Sequence, residues 1–223
     1  MKNFNSRRDF IKTSAMVTGG ILAPSFFVPG AYAAPANELK LAVIGCGGRG
    51  TGAVFQAFET GHPIKLVAMA DAFQDRLDNS FKAISGKYGA DKVAVTPEKM
   101  FVGFDGYKQA IAEADVVILA APPGFRPSHF EEAVKQGKQI FMEKPVATDA
   151  AGIRKVLAAA EEAKAKKLNV VVGLQRHYQS NYREVMKRIL DGALGDIVGG
   201  QVYWNDGGVW VRERKPEQTE MEY

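Results

Sequence analysis

The feature that most constrains this chain is a short turn, Gly45-Cys46-Gly47-Gly48-Arg49-Gly50, lying between the apolar run Leu39–Ile44 and a helix-forming stretch at 49–60. An apolar strand that enters a glycine turn and leaves as a helix is the opening of a β-α-β unit. Glycines at Gly45, Gly47 and Gly50 allow a tight reversal and a close approach of bare backbone. The helix N-terminus behind them offers free N–H groups and partial positive charge, which suits a dinucleotide pyrophosphate. Gly48 and Arg49 fall inside the same turn and join the candidate phosphate contacts.

The pattern then repeats. Apolar runs at 64–70, 100–102, 116–120, 139–142 and 169–172 read as strands, and the stretches 73–88, 106–112, 126–136 and 149–167 read as helices. Asp105 is expected to cap the helix at 106. Near-continuous apolar strands alternating with helices imply a parallel sheet covered on both faces, a doubly wound α/β domain of the NAD(P)-binding Rossmann type. After Gly173 the alternation breaks: a helix is expected at 181–190 and an alternating strand at 196–204, the opening of a second domain.

Charge excludes one class of partner. Of the formal +4, Lys2, Arg7, Arg8 and Lys12 against Asp9 put +3 in the first twelve residues, so the remainder is nearly neutral and carries no basic stripe for nucleic acid. The adjacent Arg7-Arg8, the weakly apolar stretch 13–28 and the small-x-small site Ala31-Tyr32-Ala33 resemble a twin-arginine export signal at residues 1–33. Gly19, Gly20, Pro24 and Pro29 interrupt that stretch, which argues against a stable membrane span. Export machinery is thus an expected partner and the periplasm, or another exported location, the expected destination.

Candidate site residues cluster at strand ends. Asp71 stands 21 residues after Gly50 at the end of the second strand, where a carboxylate bonds the adenine ribose hydroxyls and repels a 2′-phosphate; this favours NAD over NADP, with Arg49 or Arg76 able to soften the preference. Pro122 and Pro123 follow the fourth strand, and His129 lies in the helix after it. Glu143-Lys144-Pro145 ends the fifth, and Arg176, His177 and Tyr178 leave the last one as a polar cluster suited to cofactor or sugar hydroxyls. Cys46 reads as a small turn residue, since no histidine or second cysteine is near it in sequence. His62, His129 and His177 are scattered, so no metal site is expected.

Taken with the export signal, Gly-Cys-Gly-Gly-Arg-Gly, Glu143-Lys144-Pro145 and Gly173-Leu-Gln-Arg-His-Tyr178, the chain from Leu39 onward resembles the glucose-fructose oxidoreductase / inositol dehydrogenase / rhizopine-catabolism family. The resemblance implies a Rossmann domain over 34–176 and the truncated start of an α+β substrate and oligomerisation domain over 177–223. It also implies hydride transfer between a nicotinamide cofactor and a hydroxyl of a sugar, cyclitol or glycoside, in an oligomer when full length. Lys144 would reach the nicotinamide and the substrate hydroxyl, stabilising an alkoxide or relaying its proton. Glu143 would contact the cofactor, and Pro145 would fix a tight turn open to a cis bond. An NAD-dependent glycosidase working by transient oxidation and elimination, and a non-catalytic nucleotide-binding module, are the alternatives.

Overall fold

A computed structural model describes residues 38–207 and 213–220. The export-signal reading at 1–33 and the aromatic Trp210 lie outside these described residues. In chain order the elements are β1 (Leu39–Ile44), α1 (Gly48–Glu59), β2 (Ile64–Asp71), α2 (Gln74–Lys92), β3 (Met100–Val102), α3 (Gly106–Ala112), β4 (Val116–Leu119), α4 (Arg126–Lys135), β5 (Gln139–Met142), α5 (Ala150–Ala165), β6 (Val170–Val172) and α6 (Ser180–Leu190). All neighbouring strands pair in parallel, in the order β3-β2-β1-β4-β5-β6. This is the Rossmann arrangement, and the chain direction across the sheet reverses between β1 and β4. A cleft opens at that reversal because the helices following the two strands leave toward opposite faces.

Side-chain alternation along the strands builds one core layer on each face. Leu41 and Val43 join Val54 and Phe58 of α1 and Leu77 and Ile84 of α2. Ala42 and Ile44 turn to the opposite face, with Ile111 of α3, Phe130 and Val134 of α4 and Val156 of α5. The two-sided cover explains why β4 is apolar throughout and why β1, past the exposed Lys40 at its start, is apolar from Leu41 to Ile44.

Two local expectations are corrected. Asp105 precedes α3 but makes no capping bond, because its backbone is already helical (φ −98°, ψ −8°). Its Oδ1 accepts instead from Lys108 Nζ at 2.7 Å. The side-chain cap is made at α5, where extended Asp149 accepts from Gly152 N–H at 2.7 Å. The strand expected at 196–204 is not formed: these residues take no regular structure. Val198 and Val202 are 100% and 99% exposed, so the segment has no neighbouring strand to complete its hydrogen bonds, and alternation alone cannot supply one.

Candidate cofactor site

A cleft of about 1000 Å³ lies at the carboxyl ends of β1, β2, β4 and β5. Its floor is the glycine turn. Gly45 has φ +93°, and a Cβ there would lie 2.3 Å from Ala121 N, so the turn at the end of β1 abuts the turn at the end of β4. Gly50 sits beneath the turn, where a Cβ would lie 1.9 Å from the Gly45 carbonyl oxygen. Gly47 and Gly48 line the cleft, and a Cβ at either would meet nothing within 4 Å. The first-turn N–H groups of α1 have no intrahelical acceptor by the geometry of any helix, and Gly47 contributes no side-chain cap. Bare amides and a helix terminus at an open cleft suit an anionic ligand.

Asp71 stands at the rim of this floor. Its Oδ2 accepts from Cys46 N–H at 2.7 Å and its Oδ1 from Phe73 N–H at 3.1 Å. The carboxylate therefore ties the end of β2 to the glycine turn and still has acceptor capacity toward the cleft, since each oxygen carries two lone pairs. Cys46 is buried, and its thiol is pushed far up, first by burial and then by the Asp71 carboxylate. Such a thiol stays protonated and is inert as a nucleophile.

The opposite wall comes from β4, α4 and β5. Pro122 and Pro123 line the cleft, as do Phe125, Arg126 and His129. Arg126 was not foreseen from sequence. Its guanidinium is buried and donates to the Ala121 and Pro145 carbonyls, clamping the ends of β4 and β5 together. Burial lowers its pKa, opposed by the charge of Glu143. The available signal was its position: a cation in the first turn of a helix opposes the helix dipole and needs a compensating reason to be there.

His129 is buried on the same helix, its ring 4.2 Å from that of Tyr107, with Nδ1 lacking a hydrogen-bond partner. Burial, followed by the nearby Arg126 charge, lowers its pKa to about 4. It is a neutral imidazole at neutral pH, placed to pack and to exchange hydrogen bonds rather than to carry charge.

Glu143 is buried at the end of β5, and its Oε1 accepts from Arg49 Nε at 2.5 Å, with Nη2 at the same distance. Lys144 lines the cleft and is exposed, and the Lys144–Pro145 bond is cis. Pro145 itself lies outside the lining and contributes its carbonyl to Arg126. The polar cluster after β6 divides. Gln175 lines the cleft, whereas Arg176, His177 and Tyr178 do not. Arg176 Nε donates to the Tyr182 hydroxyl at 3.0 Å, with its guanidinium carbon 5.5 Å from the Trp204 ring. These aromatic contacts hold it away from the cleft. Among the described residues no three metal-ligating side chains come together, and no helix is long and apolar enough to cross a membrane.

A parallel sheet with this strand order, a glycine turn at its reversal point and an acidic residue ending β2 define an NAD-binding Rossmann domain. Residues 39–173 match the Gfo/Idh/MocA family, described as an oxidoreductase family with an NAD-binding Rossmann fold, and the chain belongs to that family. It is 31% identical over 133 residues to inositol 2-dehydrogenase of Rhizobium meliloti (strain 1021), covering 60% of this chain and 35% of that protein. It is 32% identical over 162 residues to inositol 2-dehydrogenase of Burkholderia cenocepacia (strain HI2424), covering 70% and 43%. Scyllo-inositol dehydrogenase of Lactobacillus casei, solved with bound NAD(H) and scyllo-inositol, shares the fold at a TM-score of 0.57 and 24% identity, covering 72% of this chain and 43% of that one. The chain thus spans less than half the length of these relatives.

Proposed function

We propose that the protein is an NAD-dependent dehydrogenase acting on a hydroxyl-bearing carbon of a cyclitol, sugar or glycoside. The observation that carries this reading is the meeting of Lys144 with the glycine turn and Asp71 in one cleft. A nicotinamide held in this cleft would supply the hydride acceptor or donor for the substrate carbon. The residues of the chain do the rest. The first-turn amides of α1 receive the pyrophosphate, and Asp71 accepts from the adenine ribose hydroxyls while repelling a 2′-phosphate, which favours NAD over NADP. Lys144 Nζ holds or relays the substrate hydroxyl proton, stabilising the developing alkoxide. Arg126, by gripping the Ala121 and Pro145 carbonyls, positions the loop that carries Lys144. The inositol substrates of the relatives make a cyclitol the first compound to test.

The test is NAD titration of the chain by calorimetry, followed by inositol-dependent NADH formation. Asp71→Ala should weaken NAD binding. Lys144→Ala should abolish hydride transfer and leave NAD bound. Absence of dinucleotide binding overturns the cofactor reading, and unchanged turnover in Lys144→Ala removes the lysine from the chemistry.

The same reading extends to residues 1–33 as a twin-arginine signal directing export, on the strength of Arg7-Arg8 and Ala31-Tyr32-Ala33. Replacing both arginines by lysine should retain the protein in the cytoplasm. Residues 177–223 are then the start of an α+β domain that covers the cleft and supplies subunit contacts. The exposed Val198, Val202 and Trp204 are the surface such a domain would bury.

A further inference from the structure

Arg49 and Glu143 belong to different ends of the cleft, 94 residues apart in sequence, yet they form an ion pair across it. Arg49 sits on the first turn of α1 among the amides assigned to the pyrophosphate, and its side chain is 48% exposed. Every nitrogen of its guanidinium already has an acceptor: Nε and Nη2 meet Glu143 Oε1, and Nη1 meets Gln56 Oε1 at 3.4 Å. Glu143 is held in place by a slot left by Gly173, where a Cβ would come within 2.7 Å of Oε1. The exposed partner can move and the buried partner cannot.

The geometry points to Glu143 as a positioning residue that sets dinucleotide affinity by competing with the pyrophosphate for the Arg49 guanidinium. This rests on the reading of the cleft as a dinucleotide site. A guanidinium beside a diphosphate forms short, charge-assisted hydrogen bonds. Glu143 holds the Nε–Nη2 edge, the side of the guanidinium that presents two parallel donors. A pyrophosphate gains that edge only by displacing the carboxylate, so part of the binding free energy offsets breaking the pair. By linkage, the pair and the ligand weaken one another equally. Cofactor binding thereby reports through Arg49 on the carboxylate next to Lys144, coupling the phosphate end of the cleft to the end where chemistry is assigned.

The test uses calorimetric titration of the 223-residue chain with ADP-ribose, which carries the pyrophosphate, and competition by adenosine, which does not. Glu143→Gln should tighten ADP-ribose roughly three- to tenfold, the scale of a fraction of one hydrogen bond to a charged group, and leave adenosine unchanged. Damage to the fold would loosen both ligands. Arg49→Gln should weaken ADP-ribose, and adding Glu143→Gln to it should give no further gain. The proposal is overturned by unchanged or weaker ADP-ribose binding in Glu143→Gln, or by an equal gain with Arg49 absent. The latter result would assign the effect to the carboxylate's field alone. Failure of the unsubstituted chain to bind any dinucleotide would overturn the cofactor reading and this proposal together, whereas binding without the Glu143 effect overturns the proposal alone.

Discussion

The stretch from Leu39 to Gly173 and the stretch from Leu174 to Trp204 contain the same kinds of apolar residue, but they treat them oppositely. In the first, Phe130, Leu77, Ile84 and Leu119 are fully enclosed between sheet and helices. In the second, Val185, Leu190, Val198 and Trp204 stand in solvent. Yet α6 is a complete helix while 196–204 is not a strand. A helix satisfies its backbone from its own neighbours, residue i to residue i−4, and needs no second element to exist. A strand's hydrogen bonds all lie with another strand. Hydrophobic pattern marks where a surface could be buried, and only a helix can act on the pattern alone.

The sharpest way to break this contrast is to disturb the first region where backbone meets backbone. Gly50→Val places a Cβ where the Gly45 carbonyl oxygen now lies, and neither backbone can yield without moving β1 from α1. A loss of about 5 kcal/mol, at the extreme of single substitutions, is expected. Chemical denaturation should show it, together with loss of dinucleotide binding. Phe130→Ala comes next: a fully buried ring of α4 is removed with no room for collapse, at about 4 kcal/mol.

A smaller effect sharpens the contrast through pH. An unfolded His129 takes up a proton near pH 6.5, whereas the buried one does so only at about pH 4. Between those values the unfolded chain binds more protons, so acidification favours it. This contribution to stability is intact above about pH 6.5 and is lost progressively toward pH 4, by about 3 kcal/mol in all. Urea titrations at neutral pH and near pH 4.5 should differ accordingly, and His129→Gln should flatten the difference. The sheet region carries this dependence through His129, which packing on α4 buries.

How far the site could be read from the chain follows the same division between local and non-local information. That the glycine turn, Asp71, Glu143 and Lys144 meet at one cleft was legible because each stands at the end of an apolar strand, and in a parallel sheet all such ends share one edge; Pro145, expected with them, lies outside the lining. Arg126 was not legible, since its role depends on two carbonyls contributed by Ala121 and Pro145. The Arg49–Glu143 pair was hidden for the same reason. Arg176, His177 and Tyr178 follow β6 as expected, but the aromatic contacts of Arg176 with Tyr182 and Trp204 place that cluster beside the cleft rather than in it. Asp105 was expected to cap its helix and Asp149 only to begin one; the backbone angle before each helix, extended only at Asp149, gives the side-chain cap to Asp149 instead.

The smallest predicted effect bears on the comparison most directly. Val185 lies on α6 and is 54% exposed, so Val185→Ser removes little burial and should change the stability of this chain by no more than about 0.5 kcal/mol. Phe130→Ala and Val185→Ser thus delete apolar groups from two well-formed helices with an expected difference near 3 kcal/mol or more, set by whether a partner surface covers the residue. The measurement is the urea midpoint of each variant, read with the slope to confirm an unchanged unfolding transition. A Val185→Ser loss approaching that of Phe130→Ala would mean that α6 is covered in solution, and the distinction between a helix that packs and a helix that merely forms would fall.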